Sequence, residues 1–187
     1  MKAASVVCFV LFAVFAVAQN NDVAFTVGGY LPQHVNARSD NVFVIEGNIA
    51  HRISHAPKAA LYLELPIVAS TESKVMALAI SGGQSFSTRS YSALFISPGV
   101  RLKFVPDSRL SPYFAVGGGL ARFSKSGSSS TNTGVLDFGA GLDVRIARFL
   151  ALRGEVRDFY SGAPELIRGL PDREHQVVAT GGVVFRF

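Results

Sequence analysis

The chain has 187 residues and a formal net charge of +5, with 18 lysines and arginines against 13 aspartates and glutamates. Its only cysteine is Cys8, which excludes a disulfide-stapled scaffold and a metal centre built from thiolates. The basic residues are scattered among acidic ones and form no run of the kind that binds nucleic acid. About half of the residues, 49%, are hydrophobic, so the chain must bury or cover a large apolar surface.

The first residues have the features of a secretory signal. Lys2 precedes an apolar run over residues 6–17, and Ala16 and Ala18 have the small-x-small spacing of a cleavage site. The run is shorter than the roughly 20 apolar residues that span a bilayer. We therefore predict a signal peptide over residues 1–18 and a single domain over residues 19–187.

Apolar and polar residues then alternate with a period of two in several segments separated by turn residues, as in β-strands with one apolar face. In chain order, the segments cover residues 23–31, 41–53, 60–69, 91–104, 111–123, 135–146, 150–160 and 176–187. In the first of them, for example, Phe25 and Val27 alternate with Ala24 and Thr26. Prolines interrupt the third and fourth segments. Because proline removes a ladder donor, the first of them predicts a bulge or a strand end and the second predicts a bulge. These prolines are Pro66 and Pro98.

The connections alternate between short and long, which predicts an up-and-down meander. Short turns are expected near Pro57, at residues 106–109 and at residues 147–148. Long loops are expected at residues 32–40, 70–90, 124–133 and 161–175, where residues 75–80 could extend a strand. Short turns face the periplasm in outer-membrane barrels, so both termini are expected on that side.

A chain in which apolar residues occupy alternate positions, without a long apolar run, is typical of a transmembrane barrel. The sequence therefore predicts an all-β fold, an eight-stranded antiparallel up-and-down transmembrane β-barrel. A soluble lipocalin-like barrel is the alternative, with the apolar face inside around a ligand and the charges outside. Phe185 and Phe187 at the closing edge favour an aromatic girdle at a membrane interface over a solvated rim.

If lipid covers the apolar face, the opposite face lines a lumen with nearly balanced charges. The members of this predicted charge network are Glu46, Glu64, Arg101, Lys103, Asp137, Asp143, Arg145, Arg153, Glu155, Arg157 and Arg186. Eight strands enclose a space that side chains just fill, so we expect ion pairs and hydrogen bonds rather than an open pore. The alternative is a narrow porin-like path for small ions or solutes, in which the basic excess would favour anions.

The sequence resembles the small outer-membrane barrels grouped with the transmembrane domain of outer membrane protein A and with porin-family barrel domains. The most similar stretches are residues 111–119, 139–145, 152–157 and 184–187. The resemblance implies the outer membrane of a diderm bacterium, contact with its lipid and lipopolysaccharide, and no cofactor. It also implies that Phe185 and Phe187 belong to the signal read by the barrel-insertion machinery.

Some eight-stranded outer-membrane barrels deacylate or acylate lipid A, so an enzyme is the competing class. Residues 157–162 are faintly similar to the deacylase segment, but Asp158 stands where a histidine would precede Ser161. His175 could meet Ser161 and Glu165 across the loop mouth, or could simply be solvated. A serine hydrolase needs such a serine–histidine–carboxylate group.

The other histidines, His34, His51 and His55, show no spacing typical of metal ligands, and surface positions are expected for them. The sequence thus predicts a non-enzymatic structural or surface-interaction protein that contacts extracellular partners through four loops. A lipid A hydrolase and a narrow channel stay open as alternatives.

Overall fold

The computed structural model describes residues 20–31, 42–71, 73–80, 84–125, 130–162 and 173–187. These residues form strands β1 (Asn21–Tyr30), β2 (Phe43–Ala56), β3 (Ala59–Ser70), β4 (Ser73–Ile80), β5 (Gln84–Ile96), β6 (Gly99–Phe104), β7 (Leu110–Lys125), β8 (Ser130–Ala147), β9 (Leu150–Gly162) and β10 (Arg173–Arg186). In this part of the chain, no helix is long and apolar enough to cross a membrane. The predicted signal peptide lies outside the described residues and stays a prediction.

The strands close into a barrel in which every neighbouring pair is antiparallel. Strand β1 pairs with both β2 and β10, and the ladder continues around through β9, β8 and β7. One position between β7 and β3 is made of two consecutive strands, β5 and β6, because β7 pairs with both and β3 pairs with the same two. Strand β3 then pairs with β2, which closes the ladder. This arrangement confirms the predicted eight-stranded up-and-down barrel.

Strand β4 lies outside the closed ladder, because among the described residues it pairs with β5 alone. The β4–β5 hairpin therefore projects from the barrel at the loop end. The strand extension predicted at residues 75–80 is confirmed by β4, which begins two residues earlier.

The two prolines lie at the same irregularity. Pro98 lies between β5 and β6. Pro66 lies beside this break, in the neighbouring strand β3, which is continuous. The register is the same on both sides of the break, since β3 pairs Ile67 with Ile96 and Glu64 with Gly99. No residue is inserted, so the bulge predicted at Pro98 is wrong: the strand ends there and resumes in the same register. The bulge or strand end predicted at Pro66 is also wrong, because β3 continues through it. The register shifts instead at residues 52–54 of β2 and 145–147 of β8, beside short turns.

Side chains alternate across the barrel wall as the sequence predicts. In β1, Phe25 and Val27 are exposed outside, whereas Ala24 and Thr26 are buried inside. The same alternation holds in the other barrel strands, and the exposed outer side chains are mostly large and apolar. A closed ladder that satisfies its backbone groups internally and carries an apolar outer belt is the form in which β-strands cross a bilayer.

The short turns lie at residues 57–58, 105–109 and 148–149, one residue later than predicted for the last. Two of the predicted long loops are partly strand, because β7 and β8 continue to Lys125 and Ser130, and β9 and β10 to Gly162 and Arg173. The hydrophobic alternation ends where the apolar belt ends, but antiparallel hydrogen bonding continues beyond it with polar residues. The first predicted loop, residues 32–40, lies outside the described part of the chain.

We expect a charge in the middle of the apolar belt to destabilise the barrel much more than the same charge near a turn. Val116 is 44% exposed and lies between the outward-facing Leu110 and Leu120 of β7, whereas Leu110 is 53% exposed at the start of that strand. Arginine costs about 2–4 kcal/mol at the bilayer midplane and about 0–1 kcal/mol near an interface, so Val116→Arg should lower the free energy of unfolding far more than Leu110→Arg. Urea unfolding in lipid vesicles, followed by circular dichroism, measures both. Equal losses would contradict a lipid-facing belt.

Candidate functional site

The loop end of the barrel interior is closed by an apolar plug. Its aromatic members are Phe95, Phe123 and Phe159, each at most 1% exposed. Phe95 stacks on Phe159 with ring centroids 4.5 Å apart and meets Phe123 edge-to-face at 5.9 Å. Aliphatic side chains complete the plug: Val44, Val68, Ala93, Ala121, Val135 and Val178, with Tyr30 packed against them.

These side chains all face the lumen, where the sequence had predicted charges, and the plug was not predicted. The sequence does contain a pattern that indicates the plug. Near the loop end of three strands, phenylalanine occupies a position on the face that is otherwise polar. Buried stacked aromatic pairs stabilise by about 0.5–1.5 kcal/mol beyond the burial of their area. The plug therefore both stabilises the barrel and separates the charged interior from the loop side.

Below the plug, Arg157 joins three carboxylates. Its guanidinium contacts Glu155 at 2.6 Å, Glu64 at 2.8 Å and Asp137 at still closer range. These side chains come from β3, β8 and β9, which places the ions across the lumen as well as along its wall. Asn48 also donates to Glu64 at 3.2 Å, and Tyr113 donates to Glu155 at 2.5 Å. Carboxylates so deeply buried are stabilised only because a cation and these donors satisfy them.

A second ion cluster lies nearer the short turns, around Asp143. Lys103 contacts Asp143 at 2.6 Å and Asp22 at 3.1 Å. Arg153 makes two hydrogen bonds to Asp143, at 2.9 and 3.2 Å, and Arg186 contacts the same carboxylate at 3.2 Å. One carboxylate thus holds three cations, and Asp22 supplies the additional negative charge.

Arg101 connects the two clusters and is held mainly by aromatic rings and charge. Its guanidinium carbon lies 5.1 Å from the ring centroid of Tyr62 and 5.3 Å from that of Tyr113. The nearest carboxylate oxygens, of Glu64 and Asp22, are 3.4 and 3.7 Å away, too far for well-formed hydrogen bonds. Cation–π attraction over both rings compensates part of the cost of burying this charge.

Inward-facing glycines make room for this layer. A Cβ atom at Gly141 would overlap the phenol ring of Tyr113, and one at Gly139 would press on Arg157 and Glu155 at 3.3 Å. The abundance of glycine on the inward parity of β8 thus follows from the size of the side chains that reach across from neighbouring strands. Glu46 is accommodated at the edge of the layer, where Thr26 and Thr180 donate to its Oε2 at 3.2 and 3.3 Å.

The structure places most of the predicted network together inside the barrel. The fully buried members are Glu46, Glu64, Arg101, Lys103, Asp137, Asp143, Arg153, Glu155 and Arg157, and Arg186 is half-buried. Arg145 is not brought into the clusters: it lies at the turn end and donates to the carbonyl oxygens of Pro106 and Ser108 at 3.0 and 2.8 Å. The register shift beside it explains this position, since the bulge turns the end of β8 toward the adjacent turn.

Asp22 is a buried interior charge that was not predicted from the sequence. Its side chain lies on the same inward face of β1 as those of Ala24 and Thr26. It was left out because the first strand was predicted to begin one residue later. The two tyrosines that hold Arg101 were also missed, because tyrosine on a polar parity does not by itself indicate a cation partner. Small residues close the interior at the turn end: Ala24, Ala151 and Val184 in one cluster, and Ala50 and Ala60 beside Tyr62 in another.

The predicted serine–histidine pair is not formed. Ser161 is 2% exposed and shares the inward parity of β9 with Phe159, whereas the side chain of His175 is 58% exposed on the outer face. His175 contacts Asp158 instead. The expectation that Ser161 and His175 could meet is therefore wrong, because the pleat puts the two side chains on opposite sides of the wall. Glu165 and His34 lie outside the described residues.

Two other histidines lie near the short turns. His51 contacts Asn21 at 2.8 Å, and His55 lies 3.4 Å from Asp107. Both are exposed, as expected from the sequence. Phe185 is exposed on the outer face, and the backbone of Phe187 pairs with Asn21 at the strand end. The role of these two phenylalanines in barrel insertion stays a prediction.

No protein-family model and no curated protein sequence matches the chain. Solved structures do share its fold. Neisserial surface protein A, from Neisseria, superposes with a TM-score of 0.59 at 14% identity, covering 91% of this chain and 98% of that one. The N-terminal β-barrel domain of OprF from Pseudomonas aeruginosa gives 0.51 at 15% identity, covering 90% and 98%. Ail, the attachment invasion locus protein of Yersinia pestis, gives 0.51 at 13% identity, covering 90% and 97%.

The chain therefore has the fold of the small eight-stranded outer-membrane β-barrels, as the sequence resemblance implies.

Removing the central cation should destabilise the barrel strongly. Arg157→Met leaves Glu64, Asp137 and Glu155 buried without their shared cation, and breaking such a buried group costs about 3–5 kcal/mol. Arg145→Met is the matched control, because its hydrogen bonds to backbone carbonyls at the rim are worth about 1 kcal/mol. Urea unfolding in vesicles gives both free energies. Adding Asp137→Asn to Arg157→Met should restore part of the loss. A loss for Arg157→Met no larger than for Arg145→Met would contradict the network.

Proposed function

We propose that this chain is a non-enzymatic protein of the outer membrane whose closed barrel anchors surface loops. The observation that carries the proposal is the filled interior. An aromatic plug at one end, an ion-pair layer in the middle and small apolar side chains at the other end occupy the lumen. A barrel of this size filled in this way supports an anchoring role better than transport.

The orientation we propose places the short turns and both termini in the periplasm and the long loops outside the cell, as in bacterial barrels generally. Lipid and lipopolysaccharide would surround the apolar belt, and the barrel-insertion machinery would act on the strand that ends in Phe185 and Phe187. With the wall in lipid and the lumen filled, the projecting β4–β5 hairpin and the loops are the surface left to meet an extracellular partner.

The geometry also supports a role without catalysis. The histidine nearest to a serine hydrolase arrangement, His175, lies across the barrel wall from Ser161. Ail is named for attachment and invasion. Attachment is likewise the role that we propose to test for this chain, carried by the loops and not by the barrel.

Replacing the loops tests this role. Short glycine–serine turns in place of residues 32–41, 72–90, 126–129 and 163–172 should leave a barrel that still inserts and migrates differently on gels before and after heating. Bacteria producing this variant should lose the attachment to cultured epithelial cells that the full chain confers. The control is a variant in which only the turn at residues 105–109 is exchanged. Attachment that survives removal of all four loops would contradict the proposal.

The channel alternative is tested by opening the plug. In planar bilayers, we expect no steady conductance from the wild-type chain, because its lumen is filled. Phe95→Ala combined with Phe159→Ala removes the stacked pair and should let water reach the charged layer, which produces conductance steps. Phe138→Ala is the matched control, since this ring faces outward and its loss should change nothing. A steady wild-type conductance that disappears on replacement of Arg101 or Arg153 would establish the channel instead.

A further inference from the structure

Each short turn of the barrel presents one basic side chain to its surroundings. Lys58 lies on the turn at residues 57–58, Arg109 on the turn at residues 105–109, and Arg148 on the turn at residues 148–149. All three are exposed, and none forms an ion pair or a side-chain hydrogen bond with another described residue. These residues, called the turn cations below, therefore have their charge free to meet a partner outside the chain.

The rest of this rim adds to the positive charge. Asp107 is the one acidic residue in the sequence of the three turns, and its carboxylate lies 3.4 Å from the imidazole of His55. Arg145 brings a further cation to the same rim, where it donates to the carbonyl oxygens of Pro106 and Ser108. The turn end of the barrel is therefore a basic surface, because its cations outnumber its single carboxylate.

The turn cations lie where the apolar belt ends. Leu110 directly follows Arg109, and Phe149 directly follows Arg148. These two apolar side chains are 53% and 57% exposed. Exposed apolar side chains at the end of a barrel wall mark the boundary of the hydrocarbon, and long basic side chains beside them extend into the layer of lipid headgroups. The charge is thus placed at the depth of lipid phosphates.

We propose that the turn cations bind the phosphate groups of anionic phospholipids, a class that phosphatidylglycerol represents. Its headgroup has a net negative charge, whereas the cationic groups of phosphatidylcholine and phosphatidylethanolamine neutralise their phosphates. Arginine can donate two hydrogen bonds at once to a phosphate, and Lys58 supplies a point charge. The inference rests on the proposed outer-membrane placement, in which the turns lie at the periplasmic leaflet. Binding there holds the turn end of the barrel at a fixed depth.

The test uses tryptophan as a local probe, because the chain contains none. Phe149→Trp places a probe beside Arg148, and Phe43→Trp places one at the loop end of the wall, where Phe43 is 47% exposed. The mature chain is folded into phosphatidylcholine vesicles that contain dibrominated phosphatidylglycerol or, at the same fraction, dibrominated phosphatidylcholine. Bromine quenches tryptophan at contact, so the two quenching curves give the relative binding constant of the two lipids.

We expect the probe at Phe149 to report binding of phosphatidylglycerol about fivefold stronger than that of phosphatidylcholine, because one basic residue beside an anionic headgroup contributes about that factor. Replacing all three turn cations by glutamine should abolish the preference. The charge-conserving combination of Lys58→Arg, Arg109→Lys and Arg148→Lys should retain it. Added sodium chloride should weaken the preference, since salt screens exposed charges.

Arg122→Gln is the charge control for Arg148→Gln. Arg122 is also exposed, but it lies at the loop end, where it donates to Ser130 at 3.1 Å. Arg148→Gln should lower the preference measured by the probe at Phe149, whereas Arg122→Gln should leave it unchanged. The probe at Phe43 should report no preference for phosphatidylglycerol.

The outcomes separate the site from the placement. A chain that does not enter the vesicles overturns both the outer-membrane proposal and this site. An inserted chain overturns the site alone if its preference survives the glutamine replacements or is equal at the two probes. Inorganic phosphate that displaces phosphatidylglycerol more than sodium chloride does at the same ionic strength assigns the turn cations to soluble phosphate and overturns the lipid partner.

Discussion

Closure of the antiparallel ladder is the constraint on which the rest of the structure depends. Once β1 pairs with β10, each strand of the closed ladder has a hydrogen-bonded neighbour on both sides, and the wall needs no solvent to satisfy its backbone. The pleat then sends successive side chains to opposite faces. One face can be covered by hydrocarbon, and every polar side chain on the other must find its partners inside a narrow space.

That narrow space explains the layered interior. Charges that enter it lose water, so they are tolerated where several strands bring opposite charges and hydroxyl donors together, as around Arg157 and Asp143. Where no such partners reach, near the loops, the inward positions are phenylalanine and valine. The ion clusters and the apolar plug follow one another along the barrel axis. Together their side chains fill the lumen.

Because side chains fill the lumen, the residues that carry the function are expected on the outside of the barrel. If lipid covers the wall, the surface left for function outside the cell is the loops with the β4–β5 hairpin.

The alternation of side chains was sufficient to predict the barrel, the number of its strands and the face of nearly every interior charge. The face on which a side chain lies depends only on its position in the strand. Arg101 and Lys103 are two residues apart in one strand, so they must lie on the same face, whichever residues lie opposite them. The same rule failed at the boundaries, where Asp22 was left out of the first strand and polar ends of β7 and β8 were assigned to a loop. Ladder hydrogen bonds continue there without any apolar signal.

What the sequence determined by itself is which side chains face in and which face out, because that depends only on the pleat of each strand. Partners were decided by the tertiary structure alone. That Arg157 meets Glu64 across the lumen, that Tyr62 and Tyr113 flank Arg101, and that His175 meets Asp158 instead of Ser161 all follow from strand register and closure. The register of paired strands brings together residues that are far apart in the chain. A local sequence pattern does not predict which of those residues become neighbours.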